Sequence, residues 1–359
     1  MTRRHLIILG LLLGGMSPAL ADEQRSSPVG KQQSAGLDPQ LWGEYRARFV
    51  TADGRVIDKD NDPKGITHTE GQGYGMLLAE AAGDRERFDQ FWRWTQSHLR
   101  RSDGLFSWKF GACGSQGDCV VDKNNASDGD VLIAWALLRA GKNWQRPDYV
   151  TAARNIAKTI ANKLIIRLGK ATLLLPAASG FSDHSGVVIN LSYWVFPAFD
   201  AFTAAFKDQR WHQLSASGLA LLTKARFGAW HLPPDWLHIG KGPMGPADKF
   251  PPRYSFDAVR IPLYLVWDEI PDKDLLEPFI SFWSAPHPNG VPAWVDLKTN
   301  AVAPYAWSTG VASIGQIATA ATGTAGGTPA GLPLPGPNDG YYSWSLSLLA
   351  RVAATETRR

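Results

Sequence analysis

Apolar residues recur every three to four positions through most of the chain, and this period, rather than the two-residue alternation of half-buried strands, sets the expected architecture. Trp42, Tyr45 and Phe49 form one stripe on a helix opening at Asp38-Pro39, with a capping aspartate and a proline at the first helical position. Phe88, Phe91, Trp92, Thr95 and Leu99 follow a second cap at Asp84. Leu132, Trp135, Ala136 and Leu138 recur behind Asp128, where Ser127 is available as N-cap, and Val150, Ile156, Ile160 and Leu164 recur behind Pro147-Asp148. Further runs cover residues 77–82, 197–206, 210–225, 254–267, 273–283, 310–321 and 341–354, so the period predicts about eleven helical segments. Between Ala171 and Leu191 the apolar residues are β-branched or Leu-rich and broken by Pro and Gly, which predicts a short β-hairpin.

The pattern is that of an all-α domain of paired helices. A closed toroid of αα-hairpins and an irregular bundle both satisfy the spacing. No repeat of about 20 to 50 residues is visible, and no linker divides the chain. The Gly-, Ala-, Thr- and Pro-rich stretch at 321–338 reads as a loop before the last helix. Residues 37–359 are therefore expected to form a single domain. Ahead of them, Arg3-Arg4, the apolar run Leu6 to Leu13 and Ala19-Leu20-Ala21 have the layout of a secretory signal peptide over 1–21. That run is too short to cross a bilayer, so the mature chain is expected to have no membrane span and to be exported, to the periplasm or beyond. Residues 22–36 are polar, Ser/Gln/Gly-rich and aperiodic, a flexible lead-in.

Charge changes the picture mainly by exclusion. The 37 Lys and Arg nearly balance 33 Asp and Glu, and two of the bases lie in the leader, so nothing electrostatic favours nucleic acid or an anionic membrane. Aromatic residues are in excess, with 15 Trp, 15 Phe and 9 Tyr; tryptophan suits large cores and the C–H faces of sugar rings. The two cysteines, Cys113 and Cys119, share a Gly-rich loop in a chain expected to be exported, which favours a disulfide over a metal site because no His lies beside them.

Three carboxylate settings carry candidate chemistry. Glu70 lies in Thr69-Glu70-Gly71-Gln72-Gly73-Tyr74-Gly75-Met76, where glycines at alternate positions allow a neighbour or ligand close to the backbone. Asp128 and Asp130 open an apolar helix, whose N-terminus favours negative charge. Asp257 and Arg260 are one helical turn apart, so the cation can keep the acid ionised. Separate acids with surplus aromatics fit glycoside hydrolysis, in which one carboxyl protonates the leaving oxygen and another activates water.

The run from Ala126 to Trp144, with Ser127-Asp128-Gly129-Asp130, Ile133-Ala134 and Ala136-Leu137-Leu138, resembles the signature of glycoside hydrolase family 8. Thr69 to Met76 resembles that family's proton-donor segment, and Asn190-Leu191-Ser192-Tyr193 and Tyr254 to Arg260 resemble its later segments. Gly54 to Asp58, Asp122 to Asn125 and Leu232-Pro233-Pro234-Asp235-Trp236-Leu237 look most like the exported endoglucanases that accompany bacterial cellulose synthesis. The resemblance implies an (α/α)6 barrel and an inverting endo-β-1,4-glucanase acting on β-1,4-glucan chains, with the cellulose synthase export complex as a partner. It implies Glu70 as general acid, Asp257 as general base, and Asp128 as a residue that binds and distorts the sugar; Asp128 as nucleophile or base is a second assignment within the family. Tyr193 and Arg260 would hold the water and the base, and Trp108 would be a sugar platform. No metal or organic cofactor is implied. Related specificities for mixed-linkage glucan, xylan or chitosan, and a non-catalytic glucan-binding role, are the alternatives. The mechanism sets two expectations: burial or Asp128 should keep Glu70 protonated, and Glu70 and Asp257 should stand ~6.5 to 9.5 Å apart.

Overall fold

The apolar period translates into eleven α-helices among the described residues: α1 (Pro39–Phe49), α2 (Thr69–Ala81), α3 (Arg85–Leu99), α4 (Ser127–Asn143), α5 (Pro147–Lys163), α6 (Phe196–Phe206), α7 (Gln209–Leu222), α8 (Ile261–Trp267), α9 (Lys273–Ser284), α10 (Thr309–Thr322) and α11 (Tyr341–Glu356). The computed structural model describes residues 36–270, 272–323 and 331–357. The expected signal peptide at 1–21, and all of the lead-in at 22–36 except Gly36, lie outside the described residues.

Burial separates the helices into two layers. Nearly every residue of α2, α4, α8 and α11 is buried, whereas α1, α3, α5, α7 and α9 bury one stripe each. With α6 and α10 the first group forms a ring in which each helix packs on the next, and α11 returns to α2. That closure selects the toroid over the irregular bundle, and the chain is an (α/α)6 barrel. The outer layer contributes five helices among the described residues. The connection from α10 to α11 holds the Gly/Ala/Thr/Pro-rich stretch, and its described part, 331–340, contains no helix.

Small sheets occupy the connections. β1 (Thr67–His68), β2 (Lys109–Ala112) and β3 (Asp118–Asp122) form an antiparallel sheet whose far end is closed by the Cys113–Cys119 disulfide. β4 (Ile165–Leu168) and β5 (Ala171–Leu174) make a hairpin that starts earlier than the expected 171–191. The rest of that stretch supplies β6 (Ser182–Asp183) and β7 (Gly186–Ile189) to a four-stranded sheet with β8 (Leu237–Gly240) and β9 (Gly245–Pro246). β10 (Arg253–Tyr254) pairs with β11 (Val295–Asp296).

Three local expectations are corrected. α2 begins at Thr69, well before Leu77, and takes the three glycines into its first turns. They serve packing: a Cβ on Gly73 would lie 2.5 Å from Leu132 of α4, and one on Gly129 would collide with Thr69, so the two helices meet backbone to backbone. The expected helix over 254–267 is shorter, because Tyr254 is held in the β10–β11 pair and the chain turns before it coils. Ser127 is not the N-cap of α4. Ala126 occupies that position, and the first N–H groups are met by the Pro176 carbonyl (2.8 Å) and the Asp128 carboxylate, which accepts from Gly129 (2.8 Å).

Candidate active site

Helices α2, α4, α6, α8 and α10 are each reached through an outer helix and so run in the same direction, and the start of α11 lines the same cleft as theirs, so these N-termini gather at one end of the barrel. An open cleft of about 950 Å³ lies there, lined by residues at or just before the starts of α2, α4, α8, α10 and α11 and by Tyr193 ahead of α6. Converging N-termini give such a cleft a positive backbone field that favours carboxylates. Glu70, Trp108, Asp128, Tyr193, Asp257 and Arg260 all line it, so the six residues singled out from the sequence meet in one place.

Arg260 is the hub. It is 2 % exposed, and its Nη1 contacts the Glu70 carboxylate and donates to the Tyr74 hydroxyl (3.2 Å). Its Nη2 donates to Asp257 Oδ1 (2.7 Å) and to Ser192 Oγ (2.9 Å), and Asp128 lies 3.5 Å from Nη1. One buried cation therefore faces three acids. The expected Asp257–Arg260 pairing is present; the Glu70 contact lies far beyond any local spacing rule.

The backbone aims these groups. Glu70 sits in the first turn of α2, capped by His68, whose Nδ1 accepts from the Gly71 N–H (3.1 Å) while Nε2 faces Asp58 (3.3 Å). Thr69 N–H donates to the Trp108 carbonyl (3.0 Å) and Trp108 N–H to the Asn124 carbonyl (2.8 Å), so the acid, the tryptophan and the approach to α4 share one hydrogen-bonded frame. The Lys109 ammonium stands 5.6 Å from the Trp108 ring centre. Tyr193 ends a 3-10 turn (Leu191–Tyr193), with Arg260 5.9 Å from its ring centre. Asp130 points away from the cleft and accepts from Phe106 N–H (3.0 Å) and Asn125 Nδ2 (2.8 Å), which makes it a brace for the α4 entrance.

Electrostatics corrects the expected charge assignment. Burial works to raise the Glu70 carboxyl, but Arg260 first, then His68 and the hydrogen bond with Asp128, hold it below the usual range. The proton of the Glu70–Asp128 pair therefore rests on Asp128, which burial and the Glu70 charge raise well above the ordinary carboxylate value. Asp257 is pushed up to about 7, mainly by burial; Arg260 opposes the rise, and Asp235 and Glu70 add to it. The physical reason is the geometry of Arg260, which serves Glu70 as closely as it serves Asp257.

Several cleft residues lay outside the sequence reading. Tyr342 donates to the Phe256 carbonyl, and Asp60 caps α11 by accepting from the Tyr341 (3.1 Å) and Tyr342 (2.9 Å) N–H groups. Asp60 sits in a turn-rich acidic loop with no periodic signal, so nothing local marks it. Asp235, inside Leu232 to Leu237, is buried beneath the Asp257 loop.

Known proteins resemble this chain along most of its length. The sequence pattern described as "Glycosyl hydrolases family 8" matches residues 25–356. A protein of Novacetimonas hansenii named "Probable endoglucanase" is 40% identical over 320 residues, covering 88% of this chain and 91% of that protein. An endoglucanase of Cellulomonas uda is 42% identical over 276 residues, 76% of this chain and 75% of its own. The solved structure of an endo-β-1,4-glucanase from Acetobacter xylinum superposes with a TM-score of 0.81 at 38% identity, covering 91% of this chain and 99% of that one. With a closed double ring of helices, three acids on one arginine at its N-terminal mouth and a match along nearly the whole sequence, this chain belongs to glycosyl hydrolases family 8.

Proposed function

We propose that this protein is an inverting endo-β-1,4-glucanase that cleaves internal bonds of β-1,4-glucan chains. The observation that carries the reading is the meeting of Glu70, Asp128 and Asp257 around one buried guanidinium in an open cleft that also holds Trp108 and Tyr193. Glu70 is the general acid. It is hydrogen-bonded to Asp128, and the proton the pair retains passes to the glycosidic oxygen through Glu70 as the bond breaks. Asp257 is the general base, and at about 7 it is a stronger base than an ordinary carboxylate. Asp128 binds and distorts the sugar at the cleavage point and stores the proton between turnovers.

Inversion needs a water between acid and base, with ~6.5 to 9.5 Å between the Glu70 and Asp257 carboxyls; the two acids meet different nitrogens of Arg260, Glu70 at Nη1 and Asp257 at Nη2. Trp108 offers its ring to a sugar face, Tyr193 and Arg260 hold the water and the base, and an open cleft admits a chain at an internal bond. Intact acid and base positions oppose a purely glucan-binding role.

The same reading covers the setting. The sequence likeness to endoglucanases of cellulose synthesis supports a role beside the cellulose synthase export complex. The leader at 1–21 and the Cys113–Cys119 disulfide support export to the periplasm or beyond. The test is hydrolysis of soluble glucans with the anomer followed by NMR. The wild-type enzyme should release α-anomeric product from β-1,4-glucan, and Glu70→Gln and Asp257→Asn should each lower kcat by at least about 10³-fold with chain binding retained. β-Anomeric product, or unchanged cleavage by Glu70→Gln, would overturn the assignment.

A further inference from the structure

Asp257 does not stand on a helix; it stands on a turn between β10 and the 3-10 segment Ala258–Arg260, and such a turn needs something to hold it. Asp235 lies beneath it, only 7% exposed. Its Oδ1 accepts from the Ser255 N–H (3.0 Å) and the Ala258 N–H (2.8 Å), and its Oδ2 accepts from the Ser255 hydroxyl. The two backbone donors bracket Phe256 and Asp257. Asp235 is itself anchored where its N–H donates to the Arg253 carbonyl (2.8 Å). All three hydrogen-bond partners of its carboxylate are neutral; burial raises the Asp235 carboxyl, and these hydrogen bonds and the Arg260 charge oppose the rise.

We propose that Asp235 is a positioning residue for the base: its buried carboxylate clamps the turn that presents Asp257, and the negative charge it places beneath that turn, shared with Arg260, acts on Asp257 from close by. The inference rests on the reading of Asp257 as the general base. A hydrophobic residue at 235 would leave the Ser255 and Ala258 N–H groups without acceptors in a buried setting, which is costly enough to reshape a short turn. The charge has a separate effect. The titratable and charged groups facing Asp257 are Arg260 of its own segment, Asp235, Glu70 at the start of α2, Tyr193 from the turn before α6, and Tyr342 of α11; Asn190 adds a neutral amide. Burial contributes most to the raised affinity of Asp257 for its proton, Arg260 opposes it, and Asp235 is the larger of the two acids that add to it.

Two substitutions separate clamp from charge. Asp235→Asn keeps an oxygen for both backbone N–H groups, and the Ser255 hydroxyl can turn to accept from the new amide, so the turn is preserved and only the charge is lost. The acid limb of kcat/KM should then move to lower pH by about one unit, and the plateau should fall several-fold because the base is weaker. Asp235→Ala removes the clamp as well, and kcat should fall about 10²-fold at every pH with KM for soluble glucan little changed. An acid limb in Asp235→Asn that coincides with the parent's overturns the charge effect, and parental kcat in Asp235→Ala overturns the clamp. If Asp235→Ala does not fold, the Asp235→Asn profile decides alone. Asp257→Asn distinguishes the two levels of argument: an active variant sinks the base assignment, whereas an inactive one beside an unshifted Asp235→Asn sinks only the role of Asp235.

Discussion

Two arginines at opposite ends of the same inner helices each gather carboxylates from distant segments, and the two clusters are completed in different ways. At the C-terminal end, Arg139 of α4 lies 2.7 Å from Glu80 of α2 and 2.5 Å from Glu356 of α11. Asn143 donates to the other Glu80 oxygen (2.5 Å), and Trp267 Nε1 donates to Glu356 (2.7 Å). Each carboxylate oxygen there has a donor. At the N-terminal end, Arg260 faces three acids, and some of its N–H groups go to Tyr74, Ser192 and the Asp257 carbonyl. Donors run short, and protons make up the difference: Asp128 is raised well above its ordinary value and Asp257 to about 7, burial being the first cause in both. A cluster completed by donors is a fixed joint, whereas one completed by protons can release and take them up, as acid–base hydrolysis requires.

The comparison is broken most directly by making the same substitution at both ends. Arg260→Met should abolish hydrolysis, with kcat lower by about 10³-fold or more, because Glu70 and Asp257 lose their common anchor and all three acids compete for protons. Arg139→Met should leave kcat and KM on soluble glucan at parental values but strand Glu80, costing about 3–5 kcal/mol in chemical unfolding. If Arg139→Met also abolished cleavage in folded protein, the division into joint and machine would be wrong.

A smaller effect sharpens the machine. Asp257 acts as base only when deprotonated, and its pKa lies near 7, so kcat/KM should fall as pH drops through about 7 rather than through the ordinary carboxylate range near 4. The opposite limb belongs to the proton of the Glu70–Asp128 pair, which burial and mutual repulsion retain to high pH. Asp128→Asn removes that reservoir and leaves Glu70 beside Arg260, so the alkaline limb of its residual activity should move to lower pH. A pH–rate profile of parent and variant checks both directions.

What the sequence discloses divides along the same line. Helix count, the three acid segments and the disulfide are legible because period, motif and loop context act over a few residues. The Asp257–Arg260 pair is legible for the same reason, being one turn apart. The hub is not, because Arg260 reaches Glu70 across 190 positions and Ser192 across 68, and no local rule spans such distances. That is why the mechanism alone asks for burial or Asp128 to keep Glu70 protonated, while in the folded chain Arg260 holds Glu70 low and Asp128 is the acid that is raised. The glycines leave a neighbour or a ligand open, and in the fold each meets a neighbour: Gly73 faces Leu132 of α4, Gly71 the Tyr341 hydroxyl, and Gly75 Val56 and Phe91. Arg139 carries no motif at all, since a fixed joint needs only compatible side chains at the ends of four helices.

The finest test removes one neutral partner from each cluster. Asn143→Ala takes away a donor to Glu80, a buried acid that then depends on Arg139; unfolding should become easier by about 1–2 kcal/mol and the pH–rate profile should not move. Ser192→Ala takes away an acceptor from Arg260 Nη2, the same nitrogen that donates to Asp257 at 2.7 Å. With the serine gone, that nitrogen serves Asp257 alone, a cation drawn closer favours the ionised carboxylate, and the acid limb should shift down by a fraction of a pH unit. The Ser192 hydroxyl also donates to Asn190 Oδ1 (2.7 Å), so stability should fall by about 1 kcal/mol as well. A profile displaced by Ser192→Ala and untouched by Asn143→Ala would mean that similar polar losses are read as catalysis at one end of the barrel and as stability at the other. Equal displacement by both would mean the two clusters communicate through α2 and α4, which link them directly.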